Sequence, residues 1–146
     1  MLKKIVFIVL WISVVSCDTR SVEEKIDNLN GYWTISKVET NEGKTKEYSF
    51  SSTVDYFEIT NNKGFRKKVQ PKLDGTYVVT DDVENIVVKV ENDSINLYYS
   101  TEMDQWKETL IASEANKITF LNEYGNKYTY ERFTGYLNET HGEKEQ

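Results

Sequence analysis

Few side chains in this sequence could do covalent or acid–base chemistry, and they are placed apart. There is one Cys, Cys17, and one His, His141. A thiol can take a covalent group, and an imidazole can move a proton near neutral pH. With one at each end of the chain, neither a Cys-His pair nor a Ser-His-Asp triad can be built in the middle, and no Cys/His zinc site can form. Gly43-Lys44-Thr45 has the ending of a phosphate-binding loop. Val38 stands where that loop needs its first Gly, and no helical pattern follows, so a hairpin turn explains the triplet. Asp81-Asp82-Val83-Glu84 lacks the alternation and the Gly of a calcium loop and reads as solvated. Carboxylates are plentiful, yet no pair stands out. The expectation is therefore a protein without catalytic residues, metal or cofactor.

The residues better suited to recognition are aromatic. Tyr56, Tyr77, Tyr98, Tyr99, Trp106, Tyr128 and Tyr130 all fall in strand-like stretches. Each ring has an apolar body with a polar tip, which suits a pocket for a small apolar or amphipathic ligand. The same rings can instead fill a narrow interior completely, and the sequence leaves both readings open. Ser100 to Gln105 would then form the rim of any cavity, with Trp106 beside it. Arg66-Lys67-Lys68, with Lys72 nearby, is a basic stretch on an acidic chain. It could meet an anionic head group or an acidic partner, but it reads better as an exposed strand whose charges discourage edge pairing.

The N-terminus carries the most specific signal. Lys3 and Lys4 precede an unbroken apolar run, Ile5 to Ile12, which is too short to span a bilayer that needs roughly 20 residues. Small and apolar residues follow, ending in Val14-Val15-Ser16-Cys17. This is the layout of a secretory signal. The last four residues resemble the bacterial lipobox. That resemblance implies cleavage before Cys17, acylation of Cys17 by chains such as palmitate, and anchoring in a bacterial envelope membrane, with the outer one favoured. Residues 1–16 would be a signal peptide, and 17–30 would hold the lipidated Cys, a tether and a short helix. Without Lys3 and Lys4 the mature chain has 16 basic and 24 acidic residues, a net charge of -8. Affinity for phosphate backbones comes from clustered Lys and Arg, so no nucleic-acid partner is expected.

Other elements must position these residues. Ser21-Val22-Glu23-Glu24 reads as a capping box, with Val22, Ile26 and Leu29 on one helical face and Asn30-Gly31 as the stop. From Tyr32 the period changes to two. Trp33 and Ile35 share a face, as do Phe57 and Ile59, and Ile86, Val88 and Val90. Ile95, Leu97 and Tyr99 repeat the pattern, as do Tyr128, Tyr130 and Arg132. Eight or nine short strands result, spaced about 8–12 residues apart and separated by turn residues. This predicts an all-β fold over residues 31–133, an antiparallel up-and-down β-barrel with a short N-terminal helix. Residues 134–146 lack an apolar alternation and are expected to be a flexible tail.

At Leu29-Asn30-Gly31-Tyr32-Trp33, a short helix leads into Gly-x-Trp at the start of the first strand. This resembles the lipocalin signature, and the chain from about 26 to 133 is similar to small lipocalin-like lipoproteins of Bacteroidota. The resemblance implies that Trp33 plugs one end of the barrel and that Arg132 packs over its ring. It implies, loosely, the carriage of a small apolar ligand by a monomer.

Overall fold

The structure is a computed structural model that describes residues 20–136. The leader, Cys17 and His141 lie outside the described residues. Helix α1 (Val22–Asp27) begins as its capping box predicts: Ser21 Oγ accepts from the Glu24 amide at 3.1 Å, and Glu24 Oε2 accepts from the Ser21 amide at 2.9 Å. A helix of this length is unstable alone. It is held because Ile26 and Leu29 are buried in the main core beside Trp33. Val22, grouped with them by spacing, stays exposed.

Nine strands follow: β1 (Gly31–Glu39), β2 (Thr45–Glu47), β3 (Val54–Thr60), β4 (Lys63–Pro71), β5 (Tyr77–Glu91), β6 (Ser94–Ser100), β7 (Gln105–Glu114), β8 (Lys117–Asn122) and β9 (Lys127–Arg132). Apart from β2, each strand pairs antiparallel with its neighbours, and β9 returns to β1 from Trp33↔Arg132 to Glu39↔Lys127. The result is a closed eight-stranded barrel, β1 and β3 to β9. The ninth strand, β2, pairs with the second half of β1, because β3 occupies only its first half, Gly31 to Trp33.

The two ends of the barrel differ in their turns. At the helix end, Asn61-Asn62 and Asn92-Asp93 have positive φ at both residues. This is the two-residue hairpin geometry that Asn and Asp tolerate. The opposite end carries the longer connections 40–44, 72–76, 101–104 and 123–126, and no described helix crosses it. Gly64 follows the first tight turn. A Cβ there would lie 1.8 Å from the Glu58 carbonyl oxygen, a backbone atom that cannot step aside. Gly64→Ala should cost about 1–3 kcal/mol, read as a lower urea midpoint. An unchanged midpoint would contradict this packing.

Alternation decides most of the interior. Trp33, Phe57, Ile59, Ile86, Leu97, Tyr99, Ile118 and Phe120 point inward and are buried. The structure departs from the sequence reading in three places. The alternating stretch Ile86–Val90 is not a short strand of its own but the end of a 15-residue strand, β5, with a register shift where Lys67 pairs Val83 and Val69 pairs Val79. Strand β2 is new; its three residues are all exposed and show no alternation. Finally, Arg66 is not part of an exposed basic stretch. It points into the barrel and is buried. The outer face of that wall is covered instead by an aromatic layer. Tyr32 stacks on Tyr77 at 4.5 Å and meets Tyr56 at 4.7 Å, over Val54, Val69 and Phe133.

Candidate functional site

One end of the barrel is sealed. Trp33 is fully buried and donates from Nε1 to the Leu29 carbonyl at 2.8 Å. The Arg132 guanidinium lies 4.1 Å from the Trp33 ring centroid. Its nitrogens donate to the carbonyls of Asn28 (2.8 Å), Asn30 (3.1 Å) and Ala115 (2.7 Å). Burial lowers its pKa, but three carbonyls and an indole face hold the charge in place. Gly31 makes this approach feasible. Its φ is +113°, and a Cβ there would meet Arg132 Nη1 at 3.0 Å. Asn30 adds a second tie, accepting from the Ile59 amide at 2.6 Å and donating to its carbonyl at 3.1 Å.

The middle of the barrel is polar, which the apolar alternation around it conceals. Arg66 on β4 pairs through Nε with Glu84 on β5, and its Nη1 lies 3.6 Å from Glu108 on β7. Its face covers the Tyr99 ring at 4.6 Å and the Phe57 ring at 5.8 Å. Lys68 reaches Asp55 at 2.9 Å. Tyr99 and Glu108 are close enough to influence each other electrostatically. Tyr99 Oη and Glu108 Oε2 are both shielded from solvent; neither makes a hydrogen bond of ordinary geometry among the described residues, and they act on each other and on the Arg66 guanidinium.

The seven aromatic residues singled out in the sequence do not share one wall. Tyr99 and Tyr130 point inward and are buried, with Trp106 and Tyr128 packed beside them. Trp106 stacks on Tyr99, rings 5.2 Å apart and nearly parallel. Tyr56 and Tyr77 lie in the outer aromatic layer. Tyr98 is also outside, donating to Glu91 at 2.6 Å. Near the unsealed end a recess of about 460 Å³ lies largely on the outer side of the wall, where Val87, Tyr98 and Lys107 form one outward row, with Lys89, Glu123, Tyr99 and Trp106 at its border. Tyr99 therefore belongs both to this recess and to the buried polar cluster.

A family model described as a lipocalin-like domain matches residues 29–120. The chain belongs to the lipocalin-like family. Among solved structures, this lipocalin-like chain is similar to a lipocalin-like protein from Bacteroides uniformis (12% identity, TM-score 0.47, covering 73% of this chain and 99% of that one). It is also similar to an uncharacterized protein from Bacteroides eggerthii (11%, TM-score 0.46, 72% and 99%). A third is apocrustacyanin C1 (8%, TM-score 0.45, 80% and 69%). No curated protein matches the sequence.

Within this lipocalin-like barrel, sequence reasoning missed Asp55, Glu84 and Glu108 and misplaced Arg66. For Glu108 a signal was present, since it alternates in phase with Trp106 and Leu110 on β7; for Arg66 only the pairing with Phe57 across strands fixes the face. Burial works against the Arg66 charge, but Tyr99, Glu84, Glu108 and Asp55 outweigh it and keep the guanidinium protonated. Burial raises the Glu108 carboxyl above the ordinary range, with Arg66 and Tyr99 opposing and Asp55 and Glu84 adding to the rise. A raised folded-state value means the fold binds this proton more tightly than the unfolded chain does. The stability it contributes is full below the unfolded carboxylate value, about 4.3, and is lost as pH rises through the folded one. Glu108→Gln should flatten this part of the pH dependence. Urea midpoints measured from pH 4 to 8 test it, and parallel curves for the two proteins would sink the assignment.

Proposed function

We propose that this lipocalin-like protein is a lipid-anchored, monomeric binding module of a bacterial cell envelope. On this reading Cys17 carries the acyl anchor, in the outer membrane. The barrel holds one small amphipathic molecule without transforming it. The observation that carries the binding reading is the difference between the two barrel ends. Dedicated residues seal one end with Trp33, Arg132 and α1, whereas no described helix crosses the other, where Trp106 borders a recess on the barrel wall. A ligand would enter there and rest against the inner rings.

Native mass spectrometry of the purified chain, beside the same sample denatured, tests the binding reading. An added mass lost on denaturation is the expected result. A bare chain mass, with Trp fluorescence unmoved by amphipathic probes, would count against it. Mass spectrometry of the membrane-extracted protein tests the anchor: the mature chain should begin at an acylated Cys17.

One observation favours a second reading, an interaction module docking on another envelope protein. Phe50, Leu73, Met103 and Tyr124 are 67% to 96% exposed. Leu73, Met103 and Tyr124 sit on the connections of the unsealed end, and Phe50 lies between β2 and β3. Crosslinking in the intact envelope would decide for this reading if one protein were captured through these positions and lost when all four were changed to Ser.

A further inference from the structure

The two ends of the barrel differ in how they could meet a bilayer. The connections of the unsealed end carry Leu73, Met103 and Tyr124, all well exposed. The turns of the sealed end carry Asn61-Asn62, Asn92-Asp93 and Ala115-Asn116, with no large apolar residue. Exposed apolar side chains on a rim suit a membrane interface, so surface character alone would lay the unsealed end on the lipid. The reach of the chain forbids it.

Helix α1 fixes where the chain enters the barrel. The Ser113 hydroxyl near the end of β7 donates to the Lys25 carbonyl at 3.1 Å, and Asn28 Nδ2 donates to the Glu114 carbonyl at 2.7 Å. Asn30 is hydrogen-bonded to Ile59 near the end of β3. The helix therefore lies across the sealed end. Ser21 is one turn before Lys25, whose amide donates to the Ser21 carbonyl at 3.1 Å. Cys17 precedes Ser21 by four residues. Four residues reach about 14 Å at full extension. Strand β7 has 10 residues and β5 has 15, and both run from one end of the barrel to the other. At about 3.3 Å per residue and a tilt of about 40°, they separate the two ends by roughly 23 to 35 Å. A rim laid on the bilayer would lift Ser21 beyond the reach of an anchored Cys17.

We propose that the anchored barrel stands with its sealed end at the lipid head groups and its unsealed rim directed into the aqueous compartment. This rests on the lipid anchor at Cys17 proposed above. The bilayer contact is a hydrated one, made by α1 and the Asn-rich turns without insertion. Leu73, Met103 and Tyr124 are then out of reach of the anchoring membrane. Cargo must cross water to reach the unsealed end, which suits an amphipathic molecule and not one dissolved in the acyl layer.

The test uses the acylated protein in phosphatidylcholine nanodiscs containing a lipid with a nitroxide head group, a short-range quencher. The mass of the membrane-extracted protein first establishes the acyl chains. With the Cys17 sulfur acylated, a thiol dye reacts only at an introduced Cys, placed in turn by Asn116→Cys, Met103→Cys and Leu73→Cys, all at exposed positions. The dye at position 116 should lose most of its emission, and the dyes at 103 and 73 should keep theirs. Strong quenching at 103 or 73, equal quenching at all three, or none at 116 would overturn the orientation while leaving the anchor in place. A long Gly-Ser segment inserted after Thr19 should release the constraint and raise quenching at 73 and 103. An unchanged pattern would overturn the tether as its cause. A chain without acyl groups would remove the anchor reading and the orientation with it.

Discussion

Trp33→Ala should lower the stability of the barrel by about 3–5 kcal/mol, the cost of emptying a fully buried aromatic site. The ring is shielded completely, donates to the Leu29 carbonyl and lies under Arg132. The cavity cannot collapse easily, because the groups around it are tied elsewhere. Arg132 is fixed to three backbone carbonyls, and Asn30 is fixed to Ile59. For a domain of this size the thermal midpoint should fall on the order of 15 °C. A double-mutant cycle with Arg132→Ala should give a coupling of about 0.5–2 kcal/mol for the stacked pair. A midpoint unchanged in Trp33→Ala would mean that the ring does not seal the barrel.

Arg66→Met is the second large effect. Removing one partner from a buried ionic group costs about 3–5 kcal/mol, because the remaining charges are left uncompensated. Here Glu84 and Glu108 would both lose their cation. The penalty should depend on pH with a definite sign. Without Arg66, which opposes the rise, the folded state favours a protonated Glu108 more strongly than wild type does. Stability of the variant is then retained in acid and lost as pH rises through the raised Glu108 value. Urea unfolding should show a small gap between variant and wild type at pH 4 and a wide one at pH 8. The triple variant Arg66→Met, Glu84→Gln, Glu108→Gln should recover much of the loss at pH 8, since the uncompensated charges are gone. A gap independent of pH would show that Arg66 matters for its volume and not its charge.

The alternation of Phe57 with Ile59, and of Ile95 with Leu97 and Tyr99, was enough to indicate strands and to identify their inward faces. Gly31 and Trp33 after a capped helix marked the sealed end, because a positive φ and a large ring are needed there for physical reasons. β2 left no trace, since three exposed residues have no buried face to reveal. Arg66 was misread because one strand alone cannot say which of its faces is wet. The outward Val69 is covered by aromatic rings, while the inward Arg66 is neutralised by acids on β5 and β7. The missing information was the identity of the neighbouring strands. Tyr56 and Tyr77 entered the candidate pocket for the same reason: their burial comes from an outer layer, which resembles an interior in the sequence.

The seam between β1 and β9 also sets the order in which the protein can be made. Trp33 pairs with Arg132, so the last strand synthesised closes against the first. Before residue 132 has emerged, the sheet has two open edges, Trp33 lacks its cation and α1 lacks its Arg132 ties. The partial sheet can zip along its hairpins from β3 to β8, but the circle waits for β9. Joining such distant segments carries the entropy of a long loop, which places folding among the slower, milliseconds-to-seconds events. A chain interrupted before β9 would present two unpaired strand edges to its neighbours, the arrangement that leads to aggregation.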